Sequence, residues 1–180
     1  MVSWTNNQGG GRDSFEEAKA LYESGIYISR DNPLSAIAHF VQAASVFSEL
    51  KGQKKKRDKS LWQAGVCYGR VGWNAKKRRD WDGARDAFRE ALRIFVTIRD
   101  QEKEATTLYQ LSLISCDVLT TSDLLKKAAL IYADLNRDEK EAMCLAELGN
   151  LFTKRDVGTS LFHWRQASRP LSLLPPRVTQ

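Results

Sequence analysis

The side chains able to do covalent or metal chemistry are few and scattered. There are two histidines, His39 and His163, and three cysteines, Cys67, Cys116 and Cys144. A zinc protease needs two histidines four residues apart on one helical face. A serine hydrolase needs a glycine-flanked serine on a strand-to-helix elbow, and a nucleotide enzyme a glycine-rich loop between strand and helix. None of these patterns occurs, and the glycines at 9–11 open no such unit. Three widely separated cysteines without CxxC spacing fit reduced thiols better than a disulfide framework. Cys67 and Cys144 read as small buried hydrophobes in equivalent helices, and His163, beside Trp164, as a surface residue. The sequence asks for no catalytic residue, no metal and no cofactor.

What remains is charge and aromatic surface. The formal net charge of the 180 residues is +6. Ten of the 28 basic residues lie in two runs, Lys51, Lys54, Lys55, Lys56, Arg57, Lys59 and Lys76, Lys77, Arg78, Arg79. Setting them aside leaves 18 basic residues against 22 acidic ones, so the basicity is local. The runs fit a nuclear-import signal or a nucleic-acid contact. They flank a helix expected from Asp58 to about Lys77, whose ends lie roughly 25–30 Å apart, too far for one phosphate-tracking stripe. Solvated turn charges are the simpler reading.

The elements that must position these groups are helical. Ser14 and Glu17 have capping-box spacing, opening a helix with Ala18, Leu21, Gly25 and Ile28 on one side. Asn32-Pro33 starts a second, with Ala36, Ile37, Phe40, Ala43, Ala44, Phe47 and Leu50 in register and Gly52 at its close. A third and fourth follow over 68–95, where Gly72, Ala84 and Ala91 permit close approach and Tyr68, Trp81 and Phe88 fill the space between. Asp80 caps the fourth and Asp100 the fifth. A sixth over about 122–135 repeats the order of the second, with Leu125, Ala128, Ala129 and Tyr132. Asp138 and Glu141 again have capping-box spacing, before a seventh with Ala142, Leu145, Leu148, Gly149 and Phe152. An eighth after Thr159 carries Leu161, Trp164 and Ala167 and stops at Pro170.

This alternation of small and aromatic residues over 68–95 resembles the tetratricopeptide repeat (TPR). Ala43, Ala91, Ala128 and Ala167 recur at intervals of 48, 37 and 39, slower than the usual period of ~34. The stretches QAASVFSELKGQ and EALRIFVTIRDQEKEATTLYQLS are similar to the longer-helix relatives, the SNAP adaptors and polarity-factor scaffolds. Ala75 and Ser115 stand where a large residue is usual, Thr121 and Ser160 replace the packing alanine, and Ser112 replaces the glycine. The resemblance implies an all-α fold, a right-handed α-α superhelix (a TPR-like solenoid) of about four helical hairpins. It would comprise a disordered lead at 1–13, a repeat domain at 14–169 and an irregular tail at 170–180.

In such arrays the first helices of successive pairs line a concave groove that takes a peptide or a helix. Carried over by register, the lining is Lys19, Tyr22, Ile26 and Arg30, then Val66, Trp73, Lys76 and Lys77, then Tyr109 and Leu113, then Met143, Asn150 and Lys154. Aromatics supply contact area at low entropy cost, and the cations favour an acidic partner. The resemblance does not reach the carboxylate-clamp repeats, because only Asn150 falls on a clamp-type position. Leu161, Phe162 and Trp164 crowd the C-terminal end of the array, where a solenoid needs a polar cap, so self-association or tail docking is expected there.

The implied function is a non-catalytic protein–protein interaction module, an adaptor, scaffold or chaperone-like domain. The alternative is a nucleic-acid-associated helical-repeat protein using the basic turns at 51–59 and 76–79. No apolar run approaches the ~18 residues of a membrane span, and the first residues lack the pattern of a secretory signal. A cytoplasmic location is expected, with nuclear import as an additional route.

Overall fold

The computed structural model describes residues 9–153, with side-chain burial from residue 11 onward. Among the described residues every regular element is an α-helix: α1 (Gly9–Ile28), α2 (Pro33–Glu49), α3 (Lys54–Lys77), α4 (Trp81–Ile98), α5 (Gln101–Ser112), α6 (Val118–Asp134) and α7 (Asp138–Thr153). The chain divides into two compact units, one ending at Asp100 and one beginning at Gln101. In the first, α1 packs on α2, α2 on α3 and α3 on α4; in the second, α5 packs on α6 and α6 on α7. None of these helices is long and apolar enough to cross a membrane. The expected eighth helix, with Leu161, Phe162 and Trp164, lies outside the described residues, as does Lys154.

The helix boundaries follow local chemistry. The Asn32 side chain accepts from Ser35 N at 3.1 Å, with Pro33 at the first helical position. Asp80 accepts from Gly83 N at 2.9 Å. At the far ends, Arg79, Arg99 and Asn136 take left-handed backbone, with φ of 62°, 60° and 53°. The next residue in each case, Asp80, Asp100 or Arg137, donates its N–H five residues back, to Ala75, Phe95 or Tyr132 O. These are Schellman closures that satisfy carbonyls the helix leaves unpaired.

Three expected helix starts move, and a fourth loses its expected cap. α1 begins at Gly9, not Ser14; glycine costs about 1 kcal/mol per helical residue but does not forbid the helix, so Ser14 lies inside it. α3 begins at Lys54, not Asp58. Gly52 has φ 77°, Gln53 is the cap, and Asp58 pairs with Arg57 at 2.7 Å instead of capping. Most of the first basic run is therefore helix, not turn. α6 begins at Val118 because Asp117 accepts from Thr120 N at 2.7 Å and from its hydroxyl at 2.6 Å. Ser122, the expected start, is buried instead, and its Oγ has no hydrogen-bond partner. α7 begins at Asp138, one residue after Asn136 and Arg137 have closed α6, so the capping box at Asp138 is not formed.

The first unit's core is built from phenylalanine rings, small residues and aliphatics, and the second's from leucines, alanines and Tyr132. Phe40, Ala43, Ala44 and Phe47 in α2, Phe88, Ala91 and Phe95 in α4, and Leu125, Ala128, Ala129 and Tyr132 in α6 are all buried. Three rings lie on glycines of the preceding helix. A Cβ at Gly25 would stand 2.7 Å from the Phe40 ring, one at Gly65 2.9 Å from Phe95, and one at Gly72 2.9 Å from Phe88. As the number rises from Gly65 to Gly72 along α3, its partner falls from Phe95 to Phe88 along α4, so the two helices run antiparallel. The same register carries Trp81 beyond Lys77, past the end of α3. Trp81 is accordingly 46 % exposed, not packed between the helices as its spacing suggests.

Candidate binding site

The first helices of the two N-terminal hairpins, α1 and α3, meet over α2 through their side chains. Lys56 Nζ lies 3.8 Å from the centroid of the Phe15 ring, and Lys59 Nζ lies 5.2 Å from that of Tyr22. Farther along, an Arg70 guanidinium nitrogen donates to the carbonyl oxygen of Ser29. Between the two helices a hollow of about 170 Å³ is lined by Lys19, Tyr22, Phe47, Lys56, Lys59 and Ser60.

Its floor is fixed by packing. Phe15 and Phe47 meet edge to face at 5.9 Å, and Tyr22 leans on Phe40 at 5.7 Å, spacings typical of favourable ring pairs. Phe47 packs with Ala18 and Ala43, flanked by Phe15, Leu21 and Tyr22. Ser60 is fully buried and donates to Lys56 O at 3.0 Å. Tyr22 is thus half core and half surface, while Lys19 is exposed and lies 3.7 Å from Glu16.

A stripe runs from this hollow down α3. Positions seven apart fall nearly in line on a helix, so Lys59, Val66 and Trp73 follow one another, with Trp73 about 21 Å from Lys59. Trp73 is 47 % exposed, and Lys76 Nζ stands 5.2 Å from its ring. Burial pushes the Lys76 ammonium below its ordinary pKa. Lys77 is exposed beside it. Ile26 is partly exposed near the end of α1, and Arg30 lies just past it, in the turn to α2.

The second unit has its own hollow, of about 230 Å³, whose lining includes Ser112, Leu113, Cys116, Leu125, Glu147 and Asn150. In α2 and α4 a phenylalanine covers a glycine. Here Leu125 holds the corresponding place and Ser112 replaces the glycine, and space remains. Tyr109 is half-buried nearby; burial chiefly, and then the Glu147 carboxylate, raises its phenol above the ordinary value. Met143 is exposed on α7 but does not line the hollow. On the other side of this unit Glu102 accepts from Lys140 at 2.7 Å and from Arg137 at 3.2 Å. The Lys140 bond first, then the charges of Lys140 and Arg137, hold its carboxyl below the usual range.

The expected groove residues therefore assemble in three places: Lys19 and Tyr22 at one hollow, Trp73, Lys76 and Lys77 at the end of α3, and Leu113 and Asn150 at the other hollow. Lys56 and Lys59, read from the sequence as turn charges, belong to the first. The missed signal was the absence of any helix breaker between Gln53 and Asp58, which places Lys56, Lys59 and Ser60 on one helical face. The two basic runs sit at opposite ends of the 24-residue α3, with Lys59 and Lys76 about 26 Å apart along it.

Cys67 and Cys144 are buried and Cys116 is exposed. Burial raises the Cys67 thiol, and burial followed by Glu141 and Glu147 pushes Cys144 up to about 11. Neither buried sulfur is a thiolate near neutrality. His39 Nδ1 lies 3.2 Å from Ser24 Oγ. Among the described residues no cluster of histidine, cysteine and carboxylate side chains has the grouping to hold a metal ion. No protein-family model matches the chain, and it has no significant match among curated proteins.

Proposed function

We propose that this chain is a non-catalytic, TPR-like helical-repeat module that holds an acidic peptide or helix of a partner protein along the face shared by α1 and α3. The observation that carries the reading is the meeting of these two non-consecutive helices, with Lys56 over Phe15 and Lys59 over Tyr22. In a stack of hairpins the first helices lie side by side, and their outward side chains form one surface. Recurrence of the buried ring–alanine order in α2, α4 and α6 supports a repeat. The reading carries with it the right-handed superhelix and an adaptor, scaffold or chaperone-like role in the cytoplasm. Stacked helices present a binding face with little left to order, which lowers the cost of association.

Trp73 supplies the apolar anchor on this face, and Lys19, Lys59, Lys76 and Lys77 select carboxylates. Selection of peptides from a random displayed library on the full chain tests the reading. Enriched peptides should be acidic, should lose about tenfold in affinity on Trp73→Ala, and should weaken as salt rises. Failure to enrich any peptide, or equal binding by Trp73→Ala at all salt concentrations, rejects it. The nucleic-acid alternative is less favoured, since its two basic runs lie at opposite ends of one helix.

A further inference from the structure

The hollow between α1 and α3 has a chemistry more specific than a general acidic groove. Its walls are rings, yet its rim is three ammonium groups. Lys56 and Lys59 have no carboxylate within 4 Å among the described residues. The only described partners of their ammonium groups are the ring faces of Phe15, Phe47 and Tyr22. Lys19 reaches Glu16 only at 3.7 Å, with both side chains exposed. The rim therefore carries positive charge that the fold leaves largely uncompensated, over a floor that offers apolar contact.

Size narrows the occupant. Cofactor and drug-sized sites run to about 300–1,000 Å³, whereas this hollow is about 170 Å³ and suits one side chain. The rings also disfavour a nucleobase. Bases bind by stacking on open aromatic faces, but the Phe15 and Tyr22 faces are occupied by ammonium groups at 3.8 and 5.2 Å.

We propose that this hollow takes a single apolar side chain of an acidic peptide, whose flanking carboxylates pair with Lys19, Lys56 and Lys59. The assignment rests on the peptide-binding reading above and names the local motif recognised: a leucine-type residue with aspartate or glutamate on both sides. The apolar side chain enters beside Phe47 and the edge of the Tyr22 ring. The carboxylates meet ammonium groups already held at the rim by the rings, so few lysine rotamers are lost on binding.

The test uses the full chain and a labelled, end-capped peptide, Glu-Asp-Leu-Asp-Glu, followed by fluorescence anisotropy. Binding should fall about tenfold when the leucine becomes serine, and similarly when the acids become amides. The double variant Lys56→Gln, Lys59→Gln, whose side chains are exposed and whose fold circular dichroism checks, should also lose about tenfold. Lys126→Gln, exposed on α6 and outside every site described, should change binding less than about twofold. No binding of the acidic peptide, or binding indifferent to the two lysines, overturns the assignment. If longer library-selected peptides still depend on Trp73, the groove reading survives that failure. Oligouridylate or anionic vesicles binding with the same lysine dependence, while the peptide does not, overturns it in favour of those ligands.

Discussion

Phe88 lies so close over Gly72 that a methyl group at position 72 would stand 2.9 Å from its ring. Gly69, three residues earlier in the same helix, has nothing within 4 Å of the corresponding point. The two glycines differ in what they face, not in backbone conformation, and this separates two effects of adding a methyl.

Gly69→Ala should stabilise the chain by roughly 0.5–1 kcal/mol, the gain in helix propensity. Gly72→Ala should destabilise by about 1–2 kcal/mol, because overpacking against Phe88 exceeds that gain. Urea denaturation of the two variants decides the matter. Changes of the same sign would remove the close approach of α3 and α4 from the account.

The first turn of α3 holds Lys54, Lys55 and Lys56 and no acidic residue, and Gln53 makes no side-chain cap bond. Positive charge sits at the positive end of the helix dipole. Lys54→Glu and Lys55→Glu should each stabilise by about 0.3–1 kcal/mol at low salt, with the gain shrinking as salt rises. Thermal melts at two ionic strengths measure both the gain and its screening.

Arg99 closes α4 at a φ of 60°, a region that costs a side-chain-bearing residue about 1–2 kcal/mol. Arg99→Gly should gain about half a kilocalorie per mole, since glycine's freedom in the unfolded chain offsets part of the relief. Arg99→Val should lose more than 1 kcal/mol, a β-branched residue being ill-suited to that region. Denaturation midpoints of the two variants should bracket the parent.

The thiols give a chemical readout. Iodoacetamide should label Cys116 in the folded chain and reach Cys67 and Cys144 only on unfolding, and peptide mapping would show which were modified. Cys144, raised to about 11 by burial, binds its proton more tightly folded than unfolded. Its contribution is therefore complete below the unfolded thiol value and is lost as pH rises toward 11, at most about 3 kcal/mol. Cys144→Ala should flatten that alkaline limb of the stability curve.

The ring-and-alanine order at Phe40, Ala43, Ala44 and Phe47 predicts a buried face, and that face is buried. The turn chemistry of Asn32 and Asp80 was equally legible, because one side chain decides each start. Ser14 and Asp138 misled, since capping spacing states that a start is allowed without excluding a better one upstream, and the approximate start at Ser122 gives way to the Asp117 cap. Trp81 misled because periodicity gives the face of a helix and not where the neighbouring helix ends. The hollow beneath Lys56 was hidden for a related reason. Charge in sequence reads as solvent exposure, whereas ammonium groups settling on Phe15 and Tyr22 depend on α1 lying beside α3.

Within each unit helices pack chiefly on those adjacent in the chain, and the helix ends at Arg79, Arg99 and Asn136 are closed by bonds spanning five residues. Little loop entropy must be surrendered before such contacts reward the chain, a topology associated with folding in microseconds to milliseconds. A nascent chain of this kind gains a hairpin each time two helices have been synthesised, so assembly keeps pace with translation instead of waiting for its end.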